Sequence, residues 1–95
     1  MKDLEFIWDP QKNNRNKKNH RVSFEEARSA FFDENAITFD DPDHSNEENR
    51  FLLLGTSSLL RVLIVCHCFR DNDRQIRIIT ARKANKNEQM NFYEA

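Results

Sequence analysis

The chain has 95 residues, 33% of them charged and 38% hydrophobic, with eight Phe, one Trp and one Tyr. That length supports one hydrophobic core, hence one expected domain over residues 1–95, and the aromatic content excludes a wholly disordered chain. No run reaches the roughly 18–20 apolar residues of a membrane span, and Met1-Lys2-Asp3-Leu4-Glu5 is no apolar leader, so a cytoplasmic protein with no membrane partner is expected.

Leu4, Phe6 and Trp8 alternate with Glu5 and Ile7, the pattern of a short strand with one buried face. Asp9-Pro10 reads as a helix N-cap followed by Pro at the first helical position, which starts a helix running from residue 10 to about residue 18. Its body is nearly all polar, so a thinly anchored surface helix is expected. Ser23-Phe24-Glu25-Glu26 has the spacing of a capping box and opens a second helix, with Val22 set to pack on Ala27. Phe24, Ala27, Phe31 and Phe32 fall on one side of it, which makes it a core helix.

Residues 36–39 are a short extended run, and Asp40-Asp41-Pro42-Asp43-His44-Ser45 reads as a solvated loop. Residues 51–54, 59–69 and 74–81 are rich in Leu, Val and Ile. Gly55-Thr56-Ser57-Ser58 and Asp71-Asn72-Asp73 separate them, which predicts an antiparallel meander. The middle run is apolar on both faces and therefore reads as a central, doubly covered strand. Asn85 and Glu88 repeat the cap spacing before a last helix over residues 85–93. The order predicts a small α+β domain: a mostly antiparallel sheet with two N-terminal helices and one C-terminal helix packed on it.

The net charge of −1 conceals a sorting of charges along the chain. Residues 10–32 hold six Lys and Arg against Glu25 and Glu26. Residues 33–49 hold seven acids and no base, and residues 50–86 hold eight bases against Asp71 and Asp73. Two basic segments that meet in the fold would make a positive surface hidden by a pI of about 6.3. A mixed solvated surface is the plainer alternative.

Cys66-His67-Cys68 puts two thiols on one face of a strand and the imidazole on the other. The three cannot converge on a metal, and neighbouring Cys and His cannot form a catalytic pair. The thiols read as small buried groups in a reducing compartment. Gly55 is the only glycine, which excludes a glycine-rich phosphate loop, and no cofactor or metal is expected.

Strand alternation places Arg61, Leu63, Val65 and His67 on one face, and Arg74, Ile76, Ile78, Thr80 and Arg82 on one face of the next strand. Any one such arginine is accounted for by snorkelling at a sheet edge. Five of them together (Arg61, Arg70, Arg74, Arg77, Arg82) favour a polyanion, because guanidinium forks match phosphate oxygens in pairs. His20 and His67 are of the side-chain type suited to proton transfer in phosphodiester cleavage, although His20 also suits the C-terminus of a helix. His44 reads as solvated.

Phe6-x-Trp8-Asp9-x-x-Lys12-x-x-x-Asn16-x-x-x-His20-x-Val22-x-Phe24-Glu25-Glu26-Ala27, then Arg50, then Val65-x-His67-x-x-Arg70, then Ile76-Arg77-Ile78-Ile79-Thr80-Ala81-Arg82-Lys83-Ala84, resembles the BrnT family of toxins over nearly the whole chain. The resemblance implies a RelE-like fold and a metal-independent ribonuclease toxin of a type II toxin–antitoxin system. Its expected partners are an RNA substrate and a neutralising BrnA-like antitoxin, with DNA contacted only through the antitoxin.

Matching positions carry over Arg50, His67, Arg70, Arg77 and Arg82 as the catalytic set, with Lys12, His20 and Lys83 as RNA contacts. Attack of a 2′-OH on the adjacent phosphate needs a proton acceptor, a proton donor and cations where charge grows, and Arg and His supply all three. Trp8 is expected in the core and not as a base-stacking platform.

The pattern departs from the family at Asn19 and Arg21, where a Lys and a Gly usually flank the motif His. It departs again in the last helix, where Phe92 stands four residues after Glu88 in place of a Tyr, leaving Tyr93 outside the expected site. The competing function is a non-catalytic protein- or nucleic-acid-binding module whose arginines only hold a partner.

Overall fold

Residues 62–68 are buried without interruption, so their strand needs neighbours on both edges and cover on both faces. The computed structural model describes residues 4–42 and 49–94. The elements run β1 (Glu5–Ile7), α1 (Pro10–His20), α2 (Phe24–Ala30), β2 (Ile37–Asp40), β3 (Arg50–Thr56), β4 (Val62–Arg70), β5 (Gln75–Lys83) and α3 (Lys86–Glu94). The sheet order is β1-β5-β4-β3-β2, with β4 central and only the β1–β5 pair parallel. Among the described residues no helix is long and apolar enough to cross a membrane. The expected loop residues Asp43, His44 and Ser45 lie outside the described residues.

One face of the sheet carries the main core, in which Leu53, Leu63, Val65 and Ile78 pack against Phe24, Ala27 and Ala30 of α2, with Val22 beside them. Phe6 and Trp8 close this core at its margin, Trp8 lying edge-on to Phe24 with ring centroids 6.1 Å apart. The helix α2 ends sooner than the apolar spacing predicts. Phe31 is its C-cap, and Phe32 stands 67% exposed beyond it.

The capping box at Ser23 is half formed. Its Oγ accepts from the Glu26 backbone N–H at 3.0 Å, but the Glu26 carboxylate turns inward to the Ser57 hydroxyl (2.7 Å) and the Arg61 guanidinium. Arg61 is thereby part of the scaffold. The weaker sequence signal at Asn85 gives the complete box: the Asn85 and Glu88 side chains each accept the other's backbone N–H at 2.8 Å.

Helix α1 is anchored more firmly than its polar composition suggests, and by amides. It runs two residues past the expected end, from the Asp9 cap to His20, with Arg21 as a left-handed C-cap at φ 59°. Strand β1 pairs with residues 75–77, and among the described residues the rest of that edge of β5 has no strand neighbour. Asn16 fills the place of one. Its Nδ2 donates to the carbonyls of Ala81 and Val22, both at 2.8 Å, and its Oδ1 accepts from the Ala81 N–H at 3.1 Å. Asn13 likewise accepts from the Phe24 N–H at 2.9 Å and donates to Glu25. Both amides are buried, which keeps the helix seated without an apolar stripe.

One of the two turns between the central strands differs from the sequence expectation. Gly55 lies inside β3, because a Cβ there would meet the Ala30 carbonyl oxygen at 2.9 Å and the Ala36 Cβ at 3.0 Å. The chain instead turns at Ser57–Arg61, where Leu59 and Leu60 are exposed and outside any strand. The other turn is where expected, with Asp71, Asn72 and Asp73 all at positive φ.

A β-bulge in β5 has the largest consequence. Cys66 faces Thr80 and His67 faces Ile78, so Ile79 is the extra residue. Ile78 and Ala81, three apart, both enter the helix-side core, while Ile79 packs on the opposite face with Cys66 and Cys68. Strict alternation therefore fails here. Ile78 and Arg82 point to opposite faces, and the expectation of one shared face is corrected.

The second face is covered only in part. Phe92 of α3 packs on Leu54, Val62, Ile64 and Ala84. A helix of nine residues is about 13 Å long, whereas the nine-residue β4 runs about 30 Å. Among the described residues the remaining floor is open.

Replacing Asn16 with Ala strips three backbone groups of their partners and is expected to cost about 3 kcal/mol, at roughly 1 kcal/mol or more per buried orphan. Urea melts of Asn16→Ala against Asn14→Ala, an exposed neighbour, would measure it; equal midpoints would contradict the anchoring role.

Burial pushes the Glu26 carboxyl up, but hydrogen bonds from Arg61 and Ser57 outweigh it and hold the group below its ordinary 4.5. A carboxyl with a lowered folded-state value stabilises fully above about pH 4.5 and loses that contribution as pH falls through the folded value. Glu26→Gln is therefore expected to destabilise by about 3 kcal/mol at pH 7 and to show a shallower loss of stability in acid. An acid limb as steep as the parent's would assign the pH dependence elsewhere.

Candidate active site

The register of the three central strands aligns the arginines. Arg50 of β3 faces Cys68 of β4, which faces Arg77 of β5, so two guanidinium residues flank a thiol in one row, about 10 Å apart by strand spacing. In the next row Leu52 faces Cys66 and Cys66 faces Thr80. In the third Leu54 faces Ile64 and Ile64 faces Arg82. Arg70, two residues beyond Cys68, shares this side. Arg50, Arg70, Arg77 and Arg82 therefore belong to one face, the one that α3 leaves partly open.

A hollow of about 410 Å³ opens on that face, with Leu52, Ile64, Cys66, Ile79 and Thr80 as its floor and Arg50, Arg82, Asp41 and His20 around it. His20 arrives from α1, whose last residue it is, because Asn16 one turn earlier is bonded to Ala81. Arg82 arrives because the bulge at Ile79 reverses the facing of the residues after it. A second hollow adjoins the first along α1, sharing His20, Ile79 and Thr80 and adding Lys12, Arg15 and Asn19.

The electrostatics of the groove are set by a few pairs. Arg82 donates from both terminal nitrogens to Glu88 at 2.8 and 2.9 Å, a fork that raises the guanidinium above its ordinary value and lowers the carboxyl. Because Glu88 also caps α3, Arg82 is held in one orientation by the helix start. Cys66 donates to the Asp41 carboxylate at 3.7 Å. Burial, and then the Asp41 charge, push its thiol up to about 11, which keeps it protonated and excludes a thiolate nucleophile at neutral pH. Among the described residues no group of three His, Cys, Asp or Glu side chains is arranged to hold a metal.

The residues expected from sequence divide in two. Arg50, Arg82 and His20 line one hollow, with Lys12 in the adjoining one. Arg77 and Arg70 share the face without lining the hollow, and Arg70 borders a separate depression with Asn49, Phe51 and Asp73.

His67 and Lys83 lie on the other face. His67 is 1% exposed, wedged among Phe31, Phe51 and Phe69, and its Nδ1 meets the Val65 carbonyl at 3.2 Å. Burial lowers its pKa, so the ring is a neutral member of the aromatic core with no route to a substrate in the groove. Lys83 pairs with Leu63 on the helix side, where its charge acts on Glu26.

Three groove residues escaped the sequence reading: Asp41, taken for a solvated acid although it is buried, and Cys66 and Thr80, whose exposure to the groove follows only from the register. Pairing Glu88 with Arg82 across six residues was equally invisible, although an acid three residues after Asn85 was a signal for its capping half.

Comparison with known proteins bears on the fold and the family. No curated protein matches the chain in sequence. A crystal structure of the Brucella abortus ribonuclease toxin BrnT matches with a TM-score of 0.67 at 19% identity, covering 87% of this chain and 99% of that one, and so shows a shared fold. The model of the family described as the ribonuclease toxin BrnT of type II toxin–antitoxin systems matches residues 8–88, which include every described groove residue. The chain belongs to the BrnT family of ribonuclease toxins.

Proposed function

We propose that this chain cleaves RNA without a metal in the groove between the end of α1 and the open part of the sheet, and that a BrnA-like antitoxin neutralises it in the cytoplasm. The observation that carries the reading is the convergence of Arg50, Arg82 and His20, from three separate elements, on one hollow whose floor is a sheet face bearing two more arginines.

In this reading Arg50 and Arg82 grip the scissile phosphate and offset the charge that grows on its oxygens as the 2′-OH attacks. His20, exposed at the rim, exchanges a proton with the 2′-OH or with the leaving 5′-oxygen. Arg77 and Arg70 extend the positive face along the strand direction. Glu88 keeps the Arg82 fork aimed, and Thr80 offers a hydroxyl on the floor. His67 and Lys83 are left out of the chemical set by their position on the opposite face. The non-catalytic alternative keeps the same groove but gives the arginines a holding role only.

The test is cleavage of a labelled single-stranded RNA by purified protein in excess chelator. The expected products carry a 2′,3′-cyclic phosphate and a 5′-OH, and Arg82→Ala and His20→Ala should each lower kcat/KM by at least about 100-fold, in line with the loss of one charge-stabilising or proton-transfer group. His67→Asn is expected to act on stability. Cleavage that stops on chelation, or that survives intact in both groove variants, would overturn the assignment. RNA that is bound and never shortened would favour the holding module.

A further inference from the structure

Helix α1 carries Lys12, Arg15, Lys17 and Lys18 and no acid at all. Such a helix repels itself, and its composition suits a counter-ion supplied from outside. Lys12, Arg15 and Asn19 fall at spacings of three and four, hence on one face, with His20 at its border. That face looks into the second hollow, which shares His20, Ile79 and Thr80 with the groove. Arg15 and Asn19 are exposed and Lys12 is half-buried. None of the three side chains has a hydrogen-bond or ion-pair partner among the described residues. The cations of the groove itself differ in this respect, since Arg82 is committed to Glu88.

Asn16, on the same helix face, is the amide that completes the edge of β5, so the stripe is held at a fixed distance from the groove floor and does not swing with a loose helix. From Lys12 to His20 the helix rises about 12 Å, while stacked nucleotides advance about 3.4 Å per step along a strand. The stripe thus has room for about three nucleotides beyond the one at the arginines.

Resting on the assignment of the groove to RNA, we infer that Lys12, Arg15 and Asn19 form a second subsite, which takes the sugar–phosphate backbone of single-stranded RNA leaving the groove. The preferred substrate is therefore a strand of several nucleotides and not a dinucleotide. Lys12 and Arg15 meet phosphates, and the Asn19 amide, placed between them and His20, is within reach of a ribose hydroxyl or phosphate oxygen. Recognition by this stripe is through the backbone, which reads chain length and not sequence.

Binding of non-cleavable 2′-O-methyl RNA of mixed sequence, followed by fluorescence anisotropy, separates this inference from the nuclease reading because it needs no catalysis. A nine-nucleotide probe is expected to bind at least about tenfold more tightly than a three-nucleotide one. In Arg15→Ala combined with Lys12→Ala that advantage should vanish, and the slope of log affinity against log salt for the longer probe should fall by about 1.4, at about 0.7 for each phosphate that a cation neutralises on a single strand. Arg15→Ala alone should give about half the change, with the melting temperature unaltered because the side chain is exposed and unbonded.

Equal affinity for both probes, or a salt slope that survives the double substitution, would overturn the subsite and favour an acidic protein segment as the partner of α1. If RNA is cleaved while the two probes bind alike, the subsite fails and the nuclease reading stands. If the length advantage and its disappearance in the double variant are seen without any cleavage, the subsite stands and the nuclease reading fails.

Discussion

One side-chain amide fixes the arrangement on which the groove depends. A sheet whose edge strand is paired for only part of its length has backbone donors and acceptors left over, and leaving them dry and unpaired is costly. Asn16 answers that constraint with both ends of its amide, taking the N–H and the carbonyl of Ala81 together. A helix too polar to bury an apolar stripe is thereby seated on the sheet, and its last residue, His20, is delivered to the rim beside Arg82. The usual relation between helix and sheet is inverted, since hydrogen bonds hold the element and its charges remain available.

The bulge at Ile79 does the complementary work from the sheet side. Without an extra residue, Arg82 would share a face with Ile76 and Ile78 and enter the helix-covered core, where an uncompensated guanidinium is expensive. One additional residue turns it to the open face, into the fork of Glu88. Two local irregularities, an amide that replaces a strand and a strand that gains a residue, are what bring cations from distant parts of the chain to one place.

Most of the architecture was legible in the sequence because it follows from periodicity. The doubly apolar run around Val65 names the central strand, Asp9-Pro10 and Ser23 mark two helix starts, and Asp71-Asn72-Asp73 marks a turn. What was not legible are features that depend on contacts across the fold. Gly55 reads as a turn residue until the Ala30 carbonyl is seen pressing on it. His67 looks chemical until its aromatic surroundings are known. Asp41 reads as solvent-exposed because it stands in a run of acids and turn formers, yet it is buried beside Cys66. The four arginines of the open face are those that the family resemblance carried over, but alternation alone did not put them on one face, since it cannot show where a strand changes phase.

A net charge near zero conveys little about such a molecule, because the acids and bases are segregated in sequence while the fold sets opposite signs against one another at particular points. The carboxylate of Glu88 shows how closely the two signs are tied. A single group closes the first turn of α3 and steers the guanidinium at the rim of the groove. The start of α3 and the cationic cleft are therefore joined through one carboxylate, so that unwinding the first releases the second.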